Sequence, residues 1–268
     1  MLHFRNSTNF CFILILTLAV SCQENTGEND VQGDLSPNFQ EKTSQNQSLK
    51  NAEYEAENKK NSLKKRVVDS VSIPHGLIDV RTINPNIRVE LKYATIDNFM
   101  KMQLYDTLRK AYLQKEVAER LGKCQDYLTT IEPGLFLLVY DAVRPVSVQQ
   151  KMWNALDSIP VSERGKFVSN PANGSVHNYG AAVDLTICNS KGIPLDMGAG
   201  YDDIRLIAYP SKEAYFLKKG ELTETQIQNR VLLRKVMSSQ NFSNIPTEWW
   251  HFNAFSRNTA KAKFRALI

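Results

Sequence analysis

The stretch Ser175-Val-His177-Asn-Tyr-Gly180-Ala-Ala-Val-Asp184 decides how the chain folds, because it leads from a polar loop into a buried strand. Residues 181–187 are apolar at nearly every position, which predicts a central strand of a sheet. Gly180 and the alanines after it let the backbone turn or pass close to a neighbour. We therefore expect the loop residue His177 to lie beside the strand residue Asp184.

A second motif, Glu248-Trp-Trp-His251, lies near the C-terminus, and its aromatic residues favour a strand over residues 248–255. Residues three apart lie on opposite faces of a regular strand. If Glu248 and His251 act together, a bulge or kink near Trp249-Trp250 is expected to turn them to the same side. The chain has four histidines, and the two motifs contain two of them.

Together the motifs hold the side chains of a catalytic zinc site, in which three protein ligands leave one position open for water. The candidate ligands are His177, Asp184 and His251, and Glu248 remains free to transfer protons. Taken alone, a His–Asp pair is more often a buried hydrogen-bonded pair than a metal site. The aromatic motif alone would also suit an edge strand. From the residues alone, these alternatives to a zinc site stay open.

The N-terminal quarter of the chain is expected to lie outside the folded domain. Residues 1–21 have the anatomy of a secretory signal, with an apolar run too short to span a bilayer. Small residues lead into Cys22, as at a bacterial lipoprotein cleavage site, so a lipid anchor in the cell envelope is expected, with a plain secretory signal as the alternative. Residues 22–66 are predicted to be a disordered tether. Residues 67–268 form one domain.

Composition and charge limit the kinds of binding partner that are expected. The net charge of +5 is spread along the chain without a compact basic run, so nucleic acid is not expected as a partner. Membrane contact is expected only through the N-terminal anchor. Cys124 and Cys188 either pair or remain buried as free thiols, and the sequence does not choose between these alternatives. Nothing in the sequence defines the oligomeric state.

Hydrophobic periodicity predicts the other elements. Residues 76–93 alternate as in extended structure, residues 105–122 have the three-to-four spacing of an amphipathic helix, and Gly134 precedes a buried strand over residues 135–140. Two further helices are predicted over residues 146–157 and 224–238. Strands and helices do not alternate as regular βαβ units. The prediction is therefore an α+β fold, a single domain with a central, mainly antiparallel sheet flanked by helices.

The motifs resemble those of the zinc peptidases of the D-Ala-D-Ala dipeptidase family, which shares its fold with bacterial D,D-carboxypeptidases and the Hedgehog signalling domain. The resemblance covers residues 76–255. Besides the two zinc motifs, four segments resemble family blocks in the right order: Tyr93-Ala-Thr-Ile-Asp-Asn-Phe99, Asp141-Ala-Val-Arg144-Pro145, Leu195-Asp-Met-Gly198 with Tyr201-Asp202, and Asn229-Arg230 with Leu233-Arg234. The fold predicted above agrees with this resemblance.

The resemblance implies one zinc ion per chain, held by His177, Asp184 and His251. It implies that Glu248 is the general base, which takes a proton from water and passes it to the leaving amine. It further implies that Arg144 stabilises the oxyanion of the reaction, since a guanidinium stays charged. Outside the family context, an arginine before a proline is more often part of a surface ion pair.

The substrate implied by the resemblance is a small D-amino dipeptide. Asp202 would bind its free ammonium group, and Ser175 and Tyr93 would contact it, the serine near the carboxylate end. Asp203 stands beside Asp202, and either could instead cap a turn. The divergent stretch 203–223 leaves the detailed preference of the pocket open.

Three functions remain in competition. The first is hydrolysis of D-Ala-D-Ala during peptidoglycan dipeptide turnover, and the second is a D,D- or L,D-carboxypeptidase acting on stem peptides, for which Asp202 would be dispensable. The third is a zinc-binding module without catalysis, since fold alone does not establish function. Retention of both Glu248 and Arg144 favours an enzyme, because a structural zinc site has no use for an unliganded carboxylate.

Overall fold

The computed structural model describes residues 76–165 and 167–268. The predicted signal segment 1–21, the candidate lipidation site Cys22 and the predicted tether lie outside the described residues. Within the described ranges, no helix is long and apolar enough to cross a membrane.

The centre of the described region is a five-stranded sheet with the order β2-β4-β5-β7-β6. Strand β2 pairs with β4 in parallel, and the other neighbours pair antiparallel. Strands β1 and β3 form a separate antiparallel pair. The strands are β1 (Leu77–Asp79), β2 (Arg88–Val89), β3 (Tyr112–Gln114), β4 (Leu135–Asp141), β5 (Ala182–Asn189), β6 (Ser243–Ile245) and β7 (Glu248–Asn253).

Helices and 3-10 turns connect these strands. The α-helices are α1 (Val80–Ile83), α2 (Lys115–Ile131), α3 (Val146–Ala155), α4 (Val161–Arg164), α5 (Glu213–Lys218), α6 (Glu224–Ser238) and α7 (Arg257–Lys263). The 3-10 turns are Lys92–Ala94, Val176–Tyr179, Leu206–Ala208 and Pro210–Lys212. The α+β prediction with a mainly antiparallel sheet is confirmed, as are the helix over residues 224–238 and, within one or two residues, the strands β4, β5 and β7 and helix α3.

Strand β5 is the middle strand of the five, and both of its faces are buried. Val183, Leu185 and Ile187 alternate toward the main core, where α2 and α6 pack on the sheet. The intervening residues Asp184 and Thr186 point to the opposite face and are equally buried. One face of the sheet therefore supplies the hydrophobic core, and the other carries polar side chains that need partners.

The helix predicted over residues 105–122 is wrong, because helix α2 begins ten residues later, at Lys115, and extends to Ile131. The apolar residues Leu108 and Ala111 are buried as predicted, but in an irregular segment that covers the core. Local side-chain hydrogen bonds replace helical ones there: the guanidinium of Arg109 donates to three backbone carbonyls of its own segment and so satisfies them without a helix.

The extended structure predicted over residues 76–93 is confirmed only in part, because the short helix α1 separates the strands β1 and β2. The two cysteines of the described region resolve the alternative left open by the sequence. Cys124 and Cys188 are both buried and free. Burial raises the pKa of the Cys124 thiol to about 12, so it is held in its neutral form and packs as a small apolar side chain.

Candidate active site

Pairing of the three central strands brings the two sequence motifs together. Asp184 on β5 lies directly opposite His251 on β7. On the other side of β5, the register shifts between Val139 and Asp141, so that Asp141 on β4 also lies opposite Asp184. The shift leaves one extra residue in β4, which is the pattern of a β-bulge. Polar side chains of three strands thus meet at one point of the sheet.

A second irregularity, in β7, confirms the bulge expected near Trp249-Trp250. Asn244 on β6 pairs with Phe252, whereas the next residue, Ile245, pairs with Glu248. The side-chain amide of Asn244 donates to the backbone carbonyls of both Glu248 and His251, at 2.8 Å each. The bulge is therefore held by a side chain from the neighbouring strand. It allows Glu248 and His251 to face the same cavity.

His177 reaches the cluster from a 3-10 turn, not from a strand. Ser175 caps this turn: its hydroxyl accepts from the backbone N–H of His177, and the side chain of Asn178 accepts from the N–H of Ser175. Gly180 ends the turn with a φ of 62°, a left-handed conformation that favours glycine. The predicted turn between the loop histidine and the strand aspartate is thus present.

His177, Asp184 and His251 form a compact buried cluster, in which one donor atom from each lies within 4.8 Å of the others. The Nε2 atom of His177 lies 3.2 Å from Oδ1 of Asp184 and 3.1 Å from Nδ1 of His251. The same Nδ1 atom lies 2.9 Å from Oδ1 of Asp184. Burial opposes ionisation of Asp184, but the adjacent histidines outweigh it and hold its pKa well below the usual range.

The outer nitrogens of the two imidazoles have their own partners. Nδ1 of His177 donates to the backbone carbonyl of Ala142 at 2.7 Å, and Nε2 of His251 lies 3.0 Å from Oδ1 of Asn253. A neutral imidazole carries its proton on one nitrogen, so protonation of the outer nitrogens leaves the inner ones as lone-pair donors. Burial opposes a charge on His251, but the hydrogen bond with Asp184 outweighs it and raises the pKa of His251. Such outer hydrogen bonds commonly fix the tautomer of metal-binding histidines. Two imidazoles and one carboxylate that converge are a donor set that fits zinc.

Glu248 lies at the edge of this cluster. Its Oε2 atom is 3.9 Å from Nδ1 of His251, and 36% of its side chain is exposed. Protein atoms nevertheless surround the carboxyl group, and this burial raises the pKa of Glu248 above its usual range, against the lowering effect of His251. The carboxyl group is therefore close to the cluster without belonging to it.

Arg144 is buried, which excludes the alternative of a surface ion pair. Its Nε and Nη2 atoms donate to Oδ2 of Asp141, at 2.9 and 2.6 Å, and its Nη1 atom donates to Gln149 at 3.1 Å. The guanidinium lies 5.1 Å from the ring centroid of Tyr93, and Nη2 is 3.5 Å from Oδ2 of Asp184. Burial opposes the charge, but the carboxylates, Asp141 above all, raise the pKa of Arg144 well above its usual value.

Asp202, not Asp203, faces the cluster. The hydroxyl of Tyr93 donates to Oδ2 of Asp202 at 3.0 Å, whereas Asp203 is held in a turn by the backbone and side chain of Arg205. Burial, reinforced by the negative charge of Asp184, raises the pKa of Asp202 well above its usual range. The positive charge of Arg144 does not offset these contributions.

One cavity of about 150 Å³ gathers these groups. All eight residues predicted for the site line it: Tyr93, Arg144, Ser175, His177, Asp184, Asp202, Glu248 and His251. Arg257, at the start of α7, lines it as well and was not predicted. Asp141, Asn244 and Asn253 were also missed as partners of site residues. Asp141 belongs to a segment that resembles a family block, whereas no spacing pattern in the sequence points to Asn244, Asn253 or Arg257.

Helix α6 holds the loop that carries Asp202. Gln226 and Asn229 donate to the side chain and the backbone carbonyl of Asp196, at 2.8 Å each. Arg230 donates to the carbonyls of Met197 and Ile207, which lie on either side of Asp202 in the chain. These bonds fix the position of the loop from outside the sheet.

Comparison with known proteins places the chain in a family. A family model described as D-ala-D-ala dipeptidase, of the M15 peptidases, matches residues 74–265. The chain belongs to this family, and it is an enzyme, a dipeptidase.

Two relatives show the extent of the similarity. The chain is 34% identical over 176 residues to the D-alanyl-D-alanine dipeptidase of Escherichia coli, which covers 66% of this chain and 83% of the relative. It is 29% identical over 168 residues to the D-alanyl-D-alanine dipeptidase of Synechocystis, covering 53% and 68%. Among solved structures, the LdcB LD-carboxypeptidase aligns with 72% of this chain and 73% of its own, at 18% identity and a TM-score of 0.39.

Proposed function

We propose that this enzyme hydrolyses D-Ala-D-Ala or a closely related D,D-dipeptide, with a zinc ion held by His177, Asp184 and His251. The observation that carries the proposal is the convergence of two imidazole nitrogens and a carboxylate within 4.8 Å, with the outer nitrogens already hydrogen-bonded. A cation bound there would be coordinated by all three groups at once. A zinc ion supplies Lewis acidity, which lowers the pKa of a bound water to about 7.

The other site residues move protons and stabilise charge. Glu248 takes a proton from the attacking water while the water oxygen bonds to the scissile carbonyl carbon. It then gives this proton to the nitrogen of the leaving amine as the C–N bond breaks. Arg144, aimed in advance by Asp141 and Gln149, donates to the oxyanion that develops on the carbonyl.

The two ends of the cavity suit the two ends of a free dipeptide. Asp202 is a buried carboxylate whose raised pKa falls again when a cation binds beside it, so it binds the substrate's ammonium group. Tyr93 orients this carboxylate through its hydroxyl. Ser175 and Arg257 line this cavity but not the adjoining one, which Asp202 also lines. In the proposed function they bind the substrate's carboxylate.

Two other functions fit less well. The stem-peptide substrate of a carboxypeptidase has no ammonium group to place against Asp202, whose buried carboxyl group would then gain no cation from the substrate. A zinc-binding module without catalysis gains nothing from Glu248, which lies next to the ligand cluster without joining it.

The test is hydrolysis of D-Ala-D-Ala by the zinc-loaded full chain and by Glu248→Gln. We expect the substitution to lower kcat about 10²–10⁴-fold while bound zinc stays at one per chain. The matched control is Glu221→Gln, which removes an exposed carboxylate paired with Lys219 and should keep full activity. Cleavage of a D,D-terminated tripeptide with no cleavage of the dipeptide would instead identify a carboxypeptidase.

We also propose that the mature enzyme is anchored in the cell envelope through Cys22 and acts on dipeptides released from the cell wall. The support is the anatomy of residues 1–22. Metabolic labelling with a fatty acid should mark the natural chain and leave Cys22→Ser unmarked. An unlabelled natural chain in the cytosol would contradict this location.

A further inference from the structure

A second cavity, of about 380 Å³, adjoins the first, and we name it the side pocket. Apolar and aromatic residues form one part of its wall, among them Phe99, Ile204, Tyr209, Ile245 and Trp250. The carboxylates of Asp202, Asp203 and Glu248 line the rest together with Ser169 and Thr247. Its volume falls within the range of about 300–1,000 Å³ that is typical of small-molecule pockets. The methyl group of an alanine residue would leave such a pocket almost empty.

The side pocket opens where the substrate's ammonium end lies. The two cavities share Asp202, Glu248, Trp250, Ile245 and the segment 167–169, whereas the zinc-ligand candidates line only the central one. With its scissile carbonyl between the ligand cluster and Arg144, the N-terminal residue of a dipeptide spans the distance to Asp202. The carbon atom that carries the ammonium group also carries the side chain. That side chain therefore leaves the central cavity at its junction with the side pocket.

We propose that the side pocket binds a large apolar side chain on the N-terminal residue of the dipeptide. The enzyme's preferred substrates are then D,D-dipeptides such as D-Leu-D-Ala, with D-Ala-D-Ala a smaller member of the class. This inference rests on the proposed dipeptidase function and on the assignment of Asp202 to the ammonium group.

Another occupant, the upstream part of a longer peptide, fits the pocket less well. A longer peptide has an amide, not an ammonium group, at the junction, and so leaves the Asp202 carboxylate without a cation. Its polar backbone would also lie against the aromatic part of the wall, where an aliphatic side chain buries apolar surface.

The experiment compares two isomeric dipeptides with D-Ala-D-Ala on the zinc-loaded full chain. One extra methylene in an apolar pocket changes kcat/KM by about 10–200-fold. We expect kcat/KM for D-Leu-D-Ala to exceed that for D-Ala-D-Ala at least about 10-fold. The isomer D-Ala-D-Leu, with the same atoms but its large side chain on the leaving residue, should show no such gain. Equal or lower kcat/KM for D-Leu-D-Ala would overturn the inference.

A pair of variants tests whether the side pocket is the cause. Ile204 lines the pocket and is 56% exposed, so Ile204→Asp adds a charge there without disturbing the core. It should lower the ratio of kcat/KM for D-Leu-D-Ala over D-Ala-D-Ala at least about 10-fold, since a charge opposes apolar binding. Leu206→Asp makes the same change two residues away, at a position 53% exposed and outside both cavities, and should leave the ratio unchanged.

Binding to Glu248→Gln separates failure of this inference from failure of the proposed function. Calorimetric titration of this zinc-loaded variant measures dipeptide binding without cleavage. Tighter binding of D-Leu-D-Ala than of D-Ala-D-Ala supports the side pocket even if the natural enzyme cleaves neither. Equal binding overturns the inference even if D-Ala-D-Ala is hydrolysed, and cleavage of a stem tripeptide alone overturns it in favour of the longer peptide.

Discussion

Gly180 shows how one residue sets the geometry of the ligand cluster. Its positive φ ends the turn that carries His177, and a Cβ atom placed on it would lie 2.6 Å from Cδ2 of Leu77 and 3.3 Å from the backbone nitrogen of Gln114. Backbone conformation and lack of space thus act together at this position. The residue joins the ligand turn to strand β5 while it packs against the small sheet.

We predict that Gly180→Ala destabilises the protein by more than about 1–2 kcal/mol, the usual cost of a left-handed non-glycine residue, because steric overlap adds to it. The control is Gly220→Ala, at a φ of 73° with open space around the added Cβ, which should show only the backbone cost. Urea denaturation measures both. Equal losses of stability in the two variants would refute the contribution of packing.

Arg257 yields a second prediction for a single side chain. Because it is expected to contact the substrate's carboxylate and not the reacting atoms, Arg257→Ala should raise KM for the dipeptide about 10-fold and change kcat little. Lys261→Ala removes the same charge from an exposed position on the same helix and should leave KM unchanged. An effect on kcat alone, with KM unaltered, would rule out this role.

Sequence reasoning reached the residues whose chemistry restricts the choice of side chain. His177, Asp184 and His251 could be proposed because zinc accepts few ligand types. It did not reach Asn244, since an amide that bonds backbone carbonyls is one of many asparagines until the strands are paired. Arg257 was missed for the same reason, because an exposed arginine is unremarkable before the cavity beside it is known.

Among the secondary-structure elements, the bulge in β7 determines which side chains face the cavity. A regular strand would place Glu248 and His251 on opposite faces, so the proposed general base and a proposed metal ligand would be separated by the sheet. The bulge could be predicted, because the two motif residues had to act together. What holds it, a side chain of β6, follows only from the pairing of the strands.

We predict that Asn244→Ala lowers kcat about 10²-fold, because the misplaced Glu248 no longer lines up with the attacked carbonyl. Loss of both hydrogen bonds should also cost about 1–3 kcal/mol of stability, because two carbonyls lose their donor. Asn244→Asp is the informative companion, since it keeps the size and loses the donor. Full activity in Asn244→Asp would show that the shape of the side chain, not its hydrogen bonds, maintains the bulge.

The segment 105–114 shows where prediction of elements fails. Its apolar spacing is helical, yet only the residues from Lys115 onward form a helix, which continues past the predicted end because Cys124 and Leu128 are buried on the same face. Burial was predicted correctly and conformation was not. An irregular segment can bury the same side chains when a nearby arginine satisfies its backbone carbonyls. The spacing of apolar residues in the sequence does not reveal such hydrogen bonds.

At the scale of the whole molecule, zinc is expected to couple the site to stability. The proposed ligands come from a loop, β5 and β7, so binding joins separate parts of the fold and stabilises only the folded state. At zinc 100-fold above its Kd, the gain is about 2.7 kcal/mol. For a domain of this size, each kcal/mol shifts Tm by about 2–4 °C.

Removal of zinc with a chelator should therefore lower Tm by about 5–10 °C in scanning calorimetry. His251→Ala, which removes one ligand, should make Tm insensitive to zinc and to chelator. The Glu248→Gln variant should keep the full shift, since Glu248 is not expected to be a ligand. A Tm that does not respond to zinc in the natural chain would contradict the proposed metal centre.

The hydrogen bonds between helix α6 and the loop that carries Asp202 bear on how this enzyme diverges among lineages. The residues proposed to perform the chemistry lie on the sheet and its adjoining turn, whereas Asp202 and Ile204 belong to a loop tethered from outside by Arg230 and its neighbours. Tyr201 in this loop donates its hydroxyl to Oδ2 of Asp184 at 3.2 Å, so loop mutations that spare Tyr201 are the ones that leave the ligand cluster untouched. Related enzymes can therefore come to differ in the peptide they accept while they keep the same hydrolytic reaction.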